Sequence, residues 1–274
     1  MQLPVTNTMT WHDHNGVIYA SFPKLASLTF AHHGMSTRLG GVSEGVFTSM
    51  NLGFERGDNA ASVTENYRRF LGALGGTTAN AVLSIQTHGT HVERVNAADR
   101  GRGFTQDIGW DSVDGLITDI PGIWLCTRYA DCVPLFFADP KRRAVGVSHA
   151  GWKGTAANIA GITVARMQEA FGSEATDLHV GIGPSIGACC FEVDAPVATA
   201  FATWSSCIQD IGADKYHINL QEVNRQNLLH AGVLPAHIEV TDLCTQCHPE
   251  IFWSHRATGG IRGSLAGIIG ISET

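Results

Sequence analysis

Two histidines and one cysteine stand in three segments of similar design. In each segment an apolar stretch meets a turn marked by glycine or proline: "LSIQTHG" carries His88, "TRYADCVP" carries Cys132 and "VGVSHAGWKG" carries His149. Two imidazoles and a thiolate suit zinc, and three protein ligands leave a fourth position for water. The pattern therefore predicts a catalytic zinc site, because zinc-bound water ionises near neutral pH and becomes a hydroxide nucleophile.

The same residues also permit chemistry without a metal, because their spacing matches no local zinc-finger pattern. Cys132 could act as a nucleophile with His149 as its base, as in a cysteine hydrolase or deamidase. A third interpretation is a buried thiol with two capping imidazoles and no chemistry. Asp131 is a candidate proton carrier, although alternation along a strand would point it away from Cys132 and favour a structural cap.

Two basic residues near glycine-rich turns are candidates for binding an anion. "MSTRLGGVSEG" places Arg38 close to two glycines and Ser43, and "HAGWKGTAANI" places Lys153 at the start of the longest predicted helix. Free backbone N–H groups and the helix dipole favour phosphate at such a position. We therefore expect Arg38 and Lys153 to hold phosphate beside the metal; the alternative is that both are solvated charges.

The elements that must position these residues are short strands mixed with a few helices. Helical spacing of apolar residues predicts helices over 63–74, 154–172 and 219–232. The polar stretch 96–115 is interpreted as a surface loop. Strands are predicted in eight segments: "GVIYASF", "AVLSIQTHG", "DGLITDI", "GIWLCT", "PLFFADP", "RAVGVSHAG", "DLHVGIGP" and "HIEVTDLC". This arrangement predicts α/β or α+β layers in a single domain spanning residues 1–274, without linkers or internal repeats.

Composition limits the partners of the chain. The 274 residues are 44% hydrophobic and 16% charged, with a formal net charge of −7. This charge argues against a nucleic-acid partner, and no stretch is apolar for long enough to cross a membrane. The N-terminus does not match a secretory signal, so we expect a cytoplasmic protein. Seven cysteines are a poor disulfide framework but are compatible with reduced thiols or metal ligands.

Two further motifs are weak. "CTQCH", residues 244–248, has the form of a haem-attachment or redox motif, but without supporting signals it is interpreted as two partly buried thiols. "GIGPSIG" differs from the dinucleotide-binding pattern in its last glycine and in its proline. It is therefore interpreted as a turn that packs against another backbone segment.

Nine segments follow one another along roughly residues 30–265: "STRLGGVSEGVFTSMNLG", "QTHGTHV", "VDGLITDIPGIWL", "ADCVPLFFAD", "HAGWKGT", "GPSIGACCFEV", "DKYHINL", "DLCT" and "FWSHR". In content and order they resemble the YfiH-type family, also called the multicopper polyphenol oxidase or laccase-domain family. The resemblance implies an α+β sandwich of mixed β-sheets flanked by helices, with His88, Cys132 and His149 as metal ligands.

The resemblance also implies an activity. It implies a zinc-dependent phosphorylase of adenosine, inosine, guanosine and methylthioadenosine that also deaminates adenosine. Its partners would be purine nucleoside and phosphate, and the chain would be a monomer or weak homodimer. Alternatives are copper-dependent polyphenol oxidation, peptidoglycan-precursor editing and a non-catalytic cell-wall accessory role. Oxidation by several coppers needs many histidines, and His91 and the His32–His33 pair are unconvincing additional ligands.

Four more residues are candidates for contacts with substrate or phosphate. Ser43 and Asn51 lie in the first segment of the resemblance, and Arg256 and Arg262 lie near its end. Here the sequence departs from the family pattern, because Ala257 stands where a second arginine is common and Arg262 follows Gly260 and Ile261. We expect this difference to alter substrate affinity or preference.

Overall fold

The strands and helices of this chain form two large mixed sheets with helices on their outer faces. A computed structural model describes residues 3–273. The strands are β1 (Thr10–His14), β2 (Val17–Ser21), β3 (Ala31–Ser36), β4 (Ala81–Leu83), β5 (Val92–Arg94), β6 (Gly115–Thr118), β7 (Trp124–Tyr129), β8 (Val133–Asp139), β9 (Ala144–Ala150), β10 (His179–Ile182), β11 (Glu192–Asp194), β12 (Ile208–Gly212), β13 (Lys215–Ile218), β14 (Ile238–Val240) and β15 (Leu265–Ile271). The helices are α1 (Pro23–Ala26), α2 (Ala60–Leu74), α3 (Trp152–Ala156), α4 (Ile159–Phe171), α5 (Ala195–Thr199), α6 (Leu220–His230) and α7 (His255–Thr258).

The two large sheets have six strands each, and a small third sheet has three. The first sheet has the order β1-β2-β3-β15-β7-β4, antiparallel except for the parallel pair of β7 and β4. The second has the order β14-β10-β8-β9-β6-β5, with parallel pairs at its two ends. Strands β11, β13 and β12 form the third sheet. Each of the eight predicted strand segments contains or overlaps a strand.

Alternation along β8 shows how the layers are stacked. Phe136 belongs to the apolar core between the two large sheets, together with Leu125 and Ile269 of the first sheet. Leu135 and Phe137 belong instead to the core between the second sheet and the helices α4 and α6. Both faces of β8 are therefore buried, which explains its continuous apolar sequence.

Helix α2 covers the outer face of the first sheet and confirms the helix predicted over 63–74. Asn59 caps its N-terminus by accepting hydrogen bonds from the backbone N–H groups of Ala61 and Ser62. Gly75 ends it in the left-handed conformation with φ of +91°. Helix α6 likewise confirms the helix predicted over 219–232, and Asn219 caps it.

The prediction of one continuous helix over 154–172 is wrong. The chain forms α3 and then α4, and Asn158 separates them in the left-handed conformation with φ of +62°. Its side chain accepts a hydrogen bond from the N–H of Gly161 and so caps α4. Asparagine tolerates this conformation and is a strong N-cap, which is why the break falls at this residue. Within residues 3–273, none of the helices has the length and apolar character needed to cross a membrane.

Candidate metal centre

His88, Cys132 and His149 come together at the edge between the two large sheets. Their nearest ligand atoms all lie within 4.8 Å of one another. His88 lies in the loop after β4, and Cys132 lies in the turn between β7 and β8. His149 lies inside β9 rather than at a turn, opposite Pro134 of β8. One thiolate and two imidazoles are a donor set that fits zinc and leaves a position open to the cavity.

The orientation of His149 is fixed by a buried carboxylate, Asp114. Asp114 Oδ1 lies 2.8 Å from Nδ1 of His149, which leaves Nε2 to face the metal position. The same carboxylate accepts hydrogen bonds from the backbone N–H groups of Thr87, His88 and Gly89, at 3.1, 3.1 and 2.8 Å. Asp114 therefore holds two metal-ligand candidates at once, as a carboxylate behind a metal-binding histidine does.

The thiol of Cys132 and the imidazole of His149 shift each other's pKa. Burial raises the pKa of Cys132, but the charges and hydrogen bonds of His149 and His88 outweigh burial and lower it to about 6. Burial lowers the pKa of His149, but Cys132 and Asp114 outweigh burial and raise it to about 9. A thiolate is the form of cysteine that binds metals and attacks electrophiles, so both kinds of chemistry are available.

Gly151 explains the close approach of the ligands. A Cβ atom at this position would lie 2.3 Å from Nδ1 of His88 and 3.4 Å from Sγ of Cys132. A side chain here would therefore displace His88, and only glycine leaves the space beside His88 and Cys132 open.

Asp131 lies in the turn before β8, so the expectation based on strand alternation does not apply to it. Its φ is +87°, and both carboxylate oxygens are already hydrogen-bonded. Thr245 Oγ1 donates to Oδ1 at 2.7 Å, and the backbone N–H of Arg256 donates to Oδ2 at 2.7 Å. These contacts anchor the segment after β14 and the helix α7, which is a structural function.

A cavity of about 490 Å³ opens over the three ligand candidates. This volume is within the range of about 300–1,000 Å³ that small-molecule sites occupy. Apolar walls come from Trp152, Ile186 and Phe191. The charged lining has four arginines and two carboxylates: Arg56, Arg128, Arg256, Arg262, Glu55 and Asp131.

Among these arginines, Arg262 has guanidinium nitrogens that lack a strong partner. Its NH1 group donates to the carbonyl of Gly263 and to Ser264 Oγ, while its buried Nε has no partner. Burial and then the charge of Arg56 lower the pKa of Arg262 to about 10. An anion bound beside Arg262 and Arg56 would reduce the repulsion between their guanidinium groups.

The other predicted substrate contacts lie outside this cavity lining. Arg38 stacks on Trp253 with its Cζ 3.7 Å from the ring centre, and it donates to the carbonyls of Pro249 and Thr48. Lys153 is exposed. The structure thus places neither basic residue where it would meet an anion in the cavity.

Ser43 and Asn51 are buried in the loop that follows β3. Ser43 accepts a hydrogen bond from Asn66 Nδ2. Asn51 Oδ1 accepts from the N–H groups of Gly53 and Ser264 at 2.9 and 2.8 Å. Both side chains are occupied in fixing loop geometry.

The other histidines considered as copper ligands do not cluster with the three ligand candidates and make contacts of their own. His33 is buried and accepts the backbone N–H of Phe22 at 2.9 Å, and His32 lies on the same strand β3. His91 contacts the carbonyl of Ser112 and the carboxylate of Glu93. Among residues 3–273, the histidines that cluster with a third metal-binding group are His88 and His149.

The sequence patterns did not predict a role at the site for Asp114 or for the cavity arginines Arg56 and Arg128. Asp114 is the penultimate residue of the stretch 96–115 that was interpreted as a surface loop. It is fully buried and lies directly before β6. The available signal was an aspartate immediately preceding a buried apolar strand in "VDGLIT". Arg128 holds Glu55 in an ion pair at the cavity wall, and this pair joins residues distant in sequence.

A model of the protein family described as multi-copper polyphenol oxidoreductase laccase matches residues 32–272. The chain belongs to this family. The resemblance noted in the sequence is thereby confirmed.

Relatives in this laccase family carry names of purine-nucleoside enzymes. The purine nucleoside phosphorylase YlmD of Geobacillus stearothermophilus is 38% identical over 251 residues, covering 88% of this chain and 90% of that protein. The adenosine deaminase RL5 of an unknown prokaryotic organism is 34% identical over 222 residues, covering 78% and 83%. The crystal structure of the hypothetical protein YfiH from Bacillus licheniformis has a TM-score of 0.89 and 35% identity, covering 96% and 99%. The predicted α+β sandwich is therefore confirmed.

Proposed function

We propose that this protein is a zinc-dependent purine nucleoside phosphorylase that also deaminates adenosine. The observation that carries the proposal is one cavity with a His-Cys-His donor set and an arginine-rich wall. The names of relatives in the same family support it. The nucleoside substrates would be adenosine, inosine, guanosine and methylthioadenosine, and phosphate would accept the ribosyl group.

In this proposal His88, Cys132 and His149 hold the metal at the base of the cavity. Zinc supplies Lewis-acid polarisation of an oxygen or nitrogen when it is bound there. Asp114 keeps Nδ1 of His149 protonated, so that Nε2 stays free to coordinate.

Phosphate is assigned to Arg262 and Arg56 rather than to Arg38 and Lys153. The first two repel one another and line the cavity, whereas the last two are outside it. Bound phosphate would be positioned to attack the anomeric carbon of the nucleoside. Phe191 and Trp152 offer apolar faces on which a purine could stack.

The test is incubation of metal-quantified protein with adenosine, with and without phosphate, resolving adenine, inosine and ribose 1-phosphate. Adenine and ribose 1-phosphate should form in equal amounts only with phosphate, and inosine should form without it. Arg262→Ala should raise the KM for phosphate by at least tenfold, since a charge-assisted contact contributes about 1.5–3 kcal/mol. Lys153→Ala is the matched control and should leave this KM unchanged. Adenosine that is unaltered under both conditions would refute the proposal.

A metal-free cysteine hydrolase is the second candidate, and one observation favours it. Cys132, His149 and Asp114 form a connected thiol–imidazole–carboxylate series, with a thiolate favoured at neutral pH. It predicts that alkylation of Cys132 destroys activity while chelation of metal does not. Zinc-dependent phosphorolysis predicts that chelation also abolishes activity and that added zinc restores it.

A further inference from the structure

A second group of thiols lies outside the cavity lining. Cys189 and Cys190 lie between β10 and β11, and Cys244 and Cys247 follow β14. The four Sγ atoms all lie within 4.8 Å of one another. The two segments are held side by side by a parallel bridge between Ser185 and Cys244.

The sulfur positions match a single tetrahedral ion. Sγ of Cys247 lies 3.5 Å from that of Cys190 and 3.6 Å from that of Cys189. Four Zn–S bonds of about 2.3 Å place neighbouring sulfurs about 3.8 Å apart. Cys247 is equally close to two partners, which suits a shared ion and not one disulfide. Separations this small leave no room for an iron–sulfur cluster, whose irons and sulfides stand between the cysteines.

The backbone around these thiols is arranged as it is around metal-bound sulfur. The N–H of Gly187 donates to Sγ of Cys244 at 3.2 Å. A Cβ atom on Gly187 would lie 3.2 Å from Sγ of Cys189 and 3.5 Å from Sγ of Cys244. Glycine therefore keeps side-chain atoms out of the space between the sulfurs, and an N–H group faces one of them.

We propose that these four cysteines bind one zinc ion in a closed, structural site: Cys189, Cys190, Cys244 and Cys247. Four protein sulfurs fill the tetrahedron and leave no position for water or substrate, which is typical of structural zinc. None of the four lines the cavity. The metal assignment is independent of the proposed phosphorylase activity.

The site would fix one wall of the cavity. Thr245, next to Cys244, donates to Asp131, and the N–H of Ile186 donates to the carbonyl of Asp131 at 2.9 Å. The carbonyl of Cys190 accepts from the guanidinium of Arg256 at 3.5 Å. Zinc bound to the four thiols would thus fix the two segments that carry them, and these segments in turn position Asp131 and Arg256.

The experiment is metal analysis of the purified full chain with native mass spectrometry. The protein should contain two zinc ions, Cys132→Ala one and Cys247→Ser one, while Cys207→Ser, which alters a buried thiol outside both clusters, should keep two. Loaded with Co²⁺, the Cys132→Ala protein should show intense thiolate-to-cobalt absorption that the additional change Cys247→Ser removes.

Cys132→Ala leaves all four thiols of the second site intact, so its mass decides the proposal even if Cys247→Ser does not fold. A mass equal to the chain plus one zinc supports the site. A metal-free mass, or a mass lowered by two hydrogens for each disulfide among these cysteines, overturns it. Loss of activity with two zinc ions still bound would refute the proposed function and leave the second site standing.

Discussion

Replacing Asp114 with asparagine tests how the metal centre is held. In wild type the carboxylate accepts from His149 Nδ1 at 2.8 Å and from three backbone N–H groups. If the amide oxygen of asparagine faces His149, its NH₂ group faces the N–H of Gly89, and two donors oppose each other. If it is reversed, the NH₂ group faces Nδ1 and drives the imidazole proton onto the nitrogen needed by the metal.

Both orientations weaken metal binding. Loss of a partner behind a metal-binding histidine lowers affinity by about 10–100-fold, or about 1.4–2.7 kcal/mol. A buried donor without an acceptor adds about 1–3 kcal/mol of lost folding stability. Competition of the protein with a chromophoric chelator for zinc measures the affinity, and denaturant unfolding measures the stability.

Asp139→Asn is the matched control for this variant. Asp139 is also fully buried and accepts backbone N–H groups, those of Lys141 and Arg142, but only through Oδ1. Its Oδ2 has no partner, so an amide nitrogen can take that place without opposing a donor. Zinc affinity should be unchanged in Asp139→Asn. If Asp114→Asn also binds zinc at the wild-type affinity, the account of how His149 is oriented is incorrect.

Two further predictions concern other parts of the fold. Gly151→Ala should lower zinc content at the metal centre to less than half, because the new Cβ collides with His88; Gly72→Ala, on the open face of α2, should keep full zinc and add about 0.5–1 kcal/mol of stability. An alanine at position 151 with full zinc content would contradict the packing argument. Burial, with the charges of neighbouring histidines, lowers the pKa of His33 to about 3. The unfolded chain therefore takes up a proton below about pH 6.5 that the native state does not, and stability should fall by about 2 kcal/mol between pH 7 and pH 5. In denaturant titrations, His33→Gln should remove this part of the pH dependence of stability, and the exposed control His230→Gln should retain it. If the stability of both variants falls equally between pH 7 and pH 5, this explanation is incorrect.

Much of the fold could be predicted because its strands are short, apolar and separated by turns. Seven of the fifteen strands were not predicted, and one of them, β15, runs through the middle of the first sheet. Gly267 and Gly270 make it look like a turn, yet both are needed there because aromatic rings pack against them. A Cβ on Gly267 would lie 2.9 Å from Phe136, and one on Gly270 would lie 2.5 Å from Trp124. Such a requirement depends on partners from other strands, which one segment does not reveal.

The candidate site was partly predictable for the same reason. His88 and Cys132 lie beside apolar strands and His149 lies within one, and this marks them as residues that a sheet could bring together. Asp114 and Arg262 gain their importance from burial and from neighbours distant in sequence. Glycine-rich turns and a predicted helix start favoured Arg38 and Lys153 for phosphate. The sequence does not show which basic side chains face a cavity, so it could not reveal that neither lines this one.

The thiol cluster illustrates the same limit. "CTQCH" was interpreted as two partly buried thiols, and Cys244 is buried while Cys247 is exposed. The partners Cys189 and Cys190 are adjacent in sequence but far from this motif along the chain. Only the pairing of the segment after β10 with the segment after β14 brings the four sulfurs together.

The rate of phosphate-dependent adenosine cleavage, followed while zinc is returned to chelator-treated protein, tests the central claim most directly. The account predicts that the rate is lost with the metal at His88, Cys132 and His149 and returns in proportion to zinc bound there. Cys132→Ala should remain inactive at every zinc concentration. Full cleavage by protein without metal, or by Cys132→Ala, would contradict the account.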